Sequence, residues 1–299
     1  MSSFTTYKQC PVCNGTNILP VLHVKDHTVS KLVFEVWQCD TCTARFTQDV
    51  PVNEEIGNYY QSEAYVSHTD TKKGFINRLY HIVRNFTLQT KRRLVQKTAN
   101  LKTGKLLDVG AGTGAFAATM QRAGWNVTGL EPDETARANA GKQHNIQLQS
   151  PDNLFVLPAN SFDAITMWHV LEHVHEVHRY MDNFSSILKP KGALIIAVPN
   201  YTSYDADAYK EYWAAYDVPR HLYHFSPQSM LSLAQQHGFT IAQYRPMWFD
   251  SFYVSMLSEQ YKTGKAGLVK AVWVGLLSNI KAMFDSHKCS SIIYVMKKV

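Results

Sequence analysis

Long apolar runs are missing from this 299-residue chain. The most apolar stretch, residues 266–277, falls short of the roughly 20 residues that span a bilayer, and it carries Lys270. Glycine and proline are scarce, at 15 and 11 residues, which excludes a collagen-like or linker-dominated architecture. Charged residues make up only 18% against 45% hydrophobic, so the composition supports a buried core rather than disorder. The net charge of +6 allows an anionic partner but lacks the concentrated charge of a dedicated nucleic-acid binder. The opening MSSFTTYKQCPVC has neither the basic nor the apolar segment of a secretory signal, so a soluble, cytoplasmic protein is the expectation. There is no internal repeat and no low-complexity tract.

What is present begins with cysteine. Four of the five cysteines form two C-x-x-C pairs, Cys10/Cys13 and Cys39/Cys42, separated by turn residues and a strand-like run, Leu32 to Trp37. Two such knuckles can give Zn²⁺ four thiolates in a tetrahedron, the makeup of a zinc ribbon with a structural ion. A disulfide framework suits a shorter, exported chain, and a thioredoxin-type redox motif accounts for only one pair. Cys289 reads as a small buried hydrophobe.

A tyrosine-rich linker follows, with Tyr59, Tyr60 and Tyr65, and then a helix from Gly74 to Asn100. Leu79, Ile82, Val83, Phe86, Leu94 and Val95 keep its helical period; Arg84, Lys91, Arg92 and Arg93 read as a solvated face. Beyond Leu101, strands and helices alternate, which implies a parallel sheet with helices on both faces. Expected strands are 105–109, 126–130, 146–148, 162–168, 193–198, 239–244 and 291–296. Asp133 and Ser226-Pro227 are expected to open helices. The chain thus divides into a ribbon module at 1–50, a linker and helix at 51–100, and an α/β domain at 101–299 with inserts at about 201–225 and 250–287.

The loop Asp108-Val-Gly110-Ala-Gly112-Thr-Gly114 joins the first strand of the alternating region to its helix. Its glycines let a ligand approach the backbone at the carboxyl edge of the sheet. Glu131 ends the second strand, about 20 residues on, where a carboxylate can hold both ribose hydroxyls. A dinucleotide site wants G-x-G-x-x-G and no acid beside the pyrophosphate. This loop reads G-x-G-x-G behind Asp108, which suits a phosphate-free, cationic nucleoside: S-adenosylmethionine.

The strings LLDVGAGTG, GLEPD, SFDAITMWHVLEHV and LKPKGALIIAVPN resemble those of class I S-adenosylmethionine-dependent methyltransferases. The string DVPRHLYHFS is similar to the subgroup that includes ubiquinone-pathway O-methyltransferases. A four-cysteine module before such a domain also resembles sugar C-methyltransferases, whose long second half has no counterpart here. The resemblance implies a Rossmann-like, seven-stranded doubly wound sheet in the order 3-2-1-4-5-7-6, with the last strand antiparallel. It implies that Asp108, Gly110, Gly112 and Gly114 line the methionine end and that Glu131 holds the ribose. Pro132 and Asn153 would flank the adenine, and Trp168 and His169 would face cofactor and acceptor.

Methyl transfer from a sulfonium is an in-line displacement, so the protein aligns the partners and, where necessary, removes a proton. A base near neutrality at the mouth of the sheet points to His169 or His221, with His224 a third candidate; the structural alternative is that Arg220 and His221 tie their loop to the sheet edge. His169-Val-Leu-Glu172-His173 also spells a zinc-peptidase pattern, but a histidine at a strand end gives that pattern the wrong geometry. His175 and His178 read as solvated. The aromatic insert at 201–225 suits an acceptor pocket. The insert segment 265–284 could cap an acceptor, rest on a membrane surface or pair with another copy, with burial against its own domain the default. The expected activity is methylation of an O or C centre in a small-molecule, sugar or lipid-like acceptor. The alternative is an RNA methyltransferase gripping RNA with the ribbon and basic helix, although no N/D-P-P-Y motif or cysteine nucleophile supports it.

Overall fold

A computed structural model describes residues 3–60, 75–265 and 267–299, with residues 75–82 described as backbone. Tyr65 and Gly74, together with the rest of the expected linker from 61 to 74, lie outside the described residues, as do Ala266 and the side chains of Leu79 and Ile82. The first segment holds β1 (Phe4–Thr5), β2 (Ile18–Lys25), β3 (Val33–Cys39), β4 (Arg45–Thr47) and β5 (Val50–Pro51). A long helix, α1 (Phe75–Ala99), leads to β6 (Lys105–Val109), α2 (Ala115–Arg122), β7 (Asn126–Leu130) and α3 (Glu134–His144). Then come β8 (Phe162–Trp168), α4 (Val177–Ile187), β9 (Leu188–Pro199), α5 (Tyr204–Tyr209) and the short β10 (Tyr223–His224). The chain continues through α6 (Pro227–Gln236), β11 (Phe239–Pro246), α7 (Asp250–Thr263), α8 (Leu268–Phe284) and β12 (Ser291–Lys298).

The main sheet runs β11-β12-β9-β8-β6-β7. β7, β6, β8 and β9 are parallel, and β12 is antiparallel to both β9 and β11. This is the expected order with its third position reduced to one parallel bridge, Leu130 to Gln149. The physical reason is packing. Leu148 fills the space where a side chain on Gly129 would stand 2.4 Å from it, and Ile146 closes on Gly114 in the same way. Residues 146–148 therefore wedge against the sheet rather than extend it.

Local chemistry explains the helix starts. Asp133 accepts from the Ala136 N–H ahead of α3, and Ser226 and Ser229 form a reciprocal capping box around Pro227. β9 departs from expectation by starting at Leu188, immediately after α4, because Leu188 pairs with Phe162 before the Lys-Pro-Lys-Gly run.

The cysteine-bearing segment packs onto the main sheet. Its four-stranded sheet, β10-β4-β3-β2, takes its edge strand from residues 223–224. Cys10, Val12 and Phe46 share one core with Leu107, Ile196 and Phe225. Arg220 locks the join. Its guanidinium is 1% exposed and reaches Asp26 at 3.0 Å, Asp217 at 2.6 Å and the Tyr59 carbonyl at 2.9 Å. Burial alone would raise the carboxyl of Asp26, but Arg220 and the N–H groups of Thr28 and Ser30 hold it well below the usual range.

Arg220→Ala leaves Asp26 charged and buried, so urea unfolding should show a loss of about 3–5 kcal/mol. A depressed carboxyl contributes stability that is complete above its unfolded value of about 3.9 and fades as the pH falls. Wild-type stability should therefore drop more steeply below about pH 4 than that of Asp26→Asn.

Candidate active site

The glycine loop leaves the carboxyl end of β6 with three positive φ angles, +71° at Gly110, +56° at Gly112 and +77° at Gly114. A Cβ at Gly110 would stand 2.2 Å from Val170, so that glycine is needed for closure. A Cβ at Gly112 would meet nothing within 4 Å; it would project into open space over the sheet edge. The Gly110 and Ala111 N–H groups donate to the Leu130 carbonyl, which draws the loop towards the end of β7.

Glu131 follows β7 and is 8% exposed. Its two oxygens accept from Gly112 N–H at 2.7 Å and Asp133 N–H at 3.0 Å, so loop and acid meet at one point. Burial pushes its carboxyl up. Asp108 is 1% exposed and accepts from the Thr166 hydroxyl at 2.7 Å. Burial, with the charge of Glu131 added, raises it to about 7 against the opposing Thr166 and Lys91. Pro132 lies exposed beside this acid, and Asn153 sits in a turn (Pro151–Val156) just beyond the Leu130–Gln149 bridge.

Trp168 closes β8, edge-on to Phe116 with 5.5 Å between ring centres. Lys91 of α1 lies over its ring at 4.2 Å. The Trp168 Nε1 is buried without a hydrogen-bond partner among the described residues. Lys91 therefore does not belong to a solvated face: α1 turns it inward, where burial lowers its pKa against the pull of Asp250 and Asp108. The helical period hinted at this, since Lys91 stands three and four residues before Leu94 and Val95, both buried.

His169 adopts a left-handed φ of +58°. Its Nε2 is 3.0 Å from Asp250 and its Nδ1 is 3.4 Å from Glu172. Burial pulls its pKa down, but the two carboxylates win and raise it to about 10. Glu172 is fully buried, and neither oxygen has a normal hydrogen bond among the described residues. A nitrogen of His173 and one of His221 lie within 4.8 Å of it and of each other. His221 Nδ1 donates to the Ala215 carbonyl at 2.8 Å. His173 bonds the Arg220 carbonyl at 3.0 Å, and burial holds it down at about 4. His224 lies elsewhere, in the ribbon sheet against Thr47 at 3.2 Å. Neither His175 nor His178 is simply solvated: they bond the Pro51 carbonyl and His237. Asp250 and Thr166 carry no sequence signal, because only folding gives them partners, and Glu172 is legible only within the H-x-x-E-H pattern.

At the opposite end, the Sγ atoms of Cys10, Cys13, Cys39 and Cys42 all lie within 4.8 Å of one another, with two separations of 3.6 Å. Sulfurs held about 2.3 Å from one tetrahedral zinc stand about 3.8 Å apart, so the donor set fits that ion. All five cysteines are free thiols, and Cys289 is fully buried.

Residues 81–244, more than half of the chain, match the family model described as a methyltransferase domain. The chain is 35% identical over 105 residues to a ubiquinone biosynthesis O-methyltransferase of Xanthomonas axonopodis pv. citri, covering 33% of this chain and 44% of that protein. It is 30% identical over 134 residues to a demethylmenaquinone methyltransferase of Tropheryma whipplei, covering 43% and 56%. The chain thus spans about half the length of the curated relatives it matches. Its fold is similar to a SAM dependent methyltransferase from Archaeoglobus fulgidus, with TM-score 0.50 and 15% identity over 72% of this chain and 94% of that one. It is also similar to a putative sarcosine dimethylglycine methyltransferase from Galdieria sulphuraria, with TM-score 0.51 and 15% identity over 74% and 87%. With a family match over more than half its length and this sheet order, the chain belongs to the class I S-adenosylmethionine-dependent methyltransferases.

Proposed function

We propose that this protein transfers a methyl group from S-adenosylmethionine to an oxygen or carbon of a small-molecule, sugar or lipid-like acceptor. The observation that carries the reading is the pairing of Glu131 with the Gly112 N–H beneath open space, beside buried Asp108. When bound, the donor supplies an electrophilic methyl on a sulfonium. Glu131 would hold its ribose hydroxyls, for which the open space at Gly112 would leave room. Asp108 would face its cationic amino-acid end, and Pro132 and Asn153 would flank its adenine. Trp168 and Lys91 wall the side towards the acceptor.

His169, an imidazolium between Asp250 and Glu172, has no lone pair to take a proton at neutral pH. It orients the strand end instead. His221 suits the base: Nδ1–H is committed to the Ala215 carbonyl, which leaves the other nitrogen as acceptor. The relatives named as ubiquinone and demethylmenaquinone methyltransferases support a small-molecule acceptor. Cys10, Cys13, Cys39 and Cys42 would hold one zinc with every position filled by thiolate, so the ion would brace the fold rather than activate water.

Calorimetry tests the donor. S-adenosylmethionine should bind and NAD should not, and Glu131→Ala should cost about 1.5–3 kcal/mol of affinity. A cation favours ionised Asp108, so affinity should weaken as the pH is lowered from about 8 to 6, a dependence that Asp108→Asn removes. With labelled donor and an acceptor found by extract screening, His221→Ala should lower kcat roughly 10²–10⁴-fold with donor affinity intact. Elemental analysis should find one zinc per chain, lost in Cys39→Ser/Cys42→Ser together with thermal stability.

A further inference from the structure

The hairpin of α7 and α8 buries only one side of α8. Ala271, Val274, Ser278 and Ala282 face inward, and the opposite face is apolar and bare. Val269, Trp273, Leu276, Ile280, Met283 and Phe284 run along that face, with Val269 88% and Phe284 89% exposed. Burial against the rest of the fold, the default expectation for this segment, occurs on the inward side only.

Charge says what the face meets. Lys281 projects at one border of the apolar stripe, where a long side chain can lie along apolar surface with the ammonium raised, while Lys270 at the same border pairs with Glu259 at 3.3 Å. At the end of α8 the stripe runs into a cavity of about 700 Å³ that includes Phe284 itself. Arg45, Lys210, Lys281 and Lys288 line it, with Asp207 the one carboxylate among the lining residues. None of the four cations has a carboxylate within ion-pair distance among the described residues. Arg45 bonds Gln38 and the Tyr216 hydroxyl and lies 4.2 Å over Tyr201, while Lys281 lies 4.8 Å over Tyr204. The nearby Asp285 is turned back on His287.

We infer that α8 docks flat on an anionic membrane surface, its apolar face in the headgroup boundary and its adjoining cations on lipid phosphates. A helix of 17 residues is about 25 Å long at 1.5 Å per residue, suited to lying in the interface. No helix among the described residues is long and apolar enough to cross a membrane, so the attachment is peripheral. A second copy is the poorer occupant, because it would bring the same surplus to this edge, four cations lining the cavity against the single carboxylate of Asp207. The anionic leaflet supplies both missing partners at once.

Sedimentation of the full chain with vesicles tests this. Phosphatidylcholine vesicles containing phosphatidylglycerol should carry the protein down, and pure phosphatidylcholine vesicles should carry little. Val269→Ser/Trp273→Ser and Lys281→Glu/Lys288→Glu should each weaken binding about tenfold or more, and added salt should weaken the wild type. Unchanged S-adenosylmethionine affinity in calorimetry and an unchanged Tm show that the variants are folded. If the wild type does not sediment, or sediments equally with neutral vesicles, the inference is overturned. It is also overturned if ultracentrifugation shows a dimer that Val269→Ser/Trp273→Ser dissolves, since the face then belongs to a second copy.

Discussion

The guanidinium of Arg220 sits almost out of reach of water between Asp26 and Asp217, with the Tyr59 carbonyl on a third side. A charge in that position is tolerable only while all its partners stay in place. It therefore fixes the turn after β2 against the loop that precedes β10. The same loop carries His221 and sends the Leu222 N–H to the Glu172 carbonyl. The ribbon is thereby coupled to the chemistry: strain at Asp26 would be felt one residue from the proposed base.

The edge of the sheet holds an excess of buried acid. Asp108, Glu131, Glu172 and Asp250 approach it from four different elements, and His169 and Lys91 are the cations set among them. The tension lies at Asp108 and Glu131, whose carboxyls burial lifts, whereas His169 holds those of Glu172 and Asp250 down. A cationic ligand relieves that tension, whereas a phosphate-bearing one would add to it. The same constraint that selects the donor explains why His169 is held protonated and is unsuited to taking a proton.

The two faces of the molecule differ in kind. Around the glycine loop, polar groups are buried and aimed at one point. On the hairpin, apolar groups are exposed along a helix and cations gather at its end.

The donor loop was legible in the sequence because it is local: glycine spacing, Asp108 and Glu131 lie on two adjacent strands and their meaning follows from backbone freedom and charge. The cysteine pairs were legible for the same reason, since two C-x-x-C knuckles are local turns, and the fold brings their four sulfurs together. The main sheet followed from alternating apolar runs, except at residues 146–148, where side-chain packing against Gly114 and Gly129 replaced pairing. What only the tertiary structure decided depends on distant partners. Lys91 became part of the site because α1 lies against β8, and His169 became an imidazolium because Asp250 arrives from a helix far along the chain. Arg220 found Asp26 across most of the sequence, and α8 stayed bare because one apolar side sufficed to close the hairpin. Composition registers neither charge pairing nor which side of an all-apolar helix is covered; both are set by where the fold brings other elements.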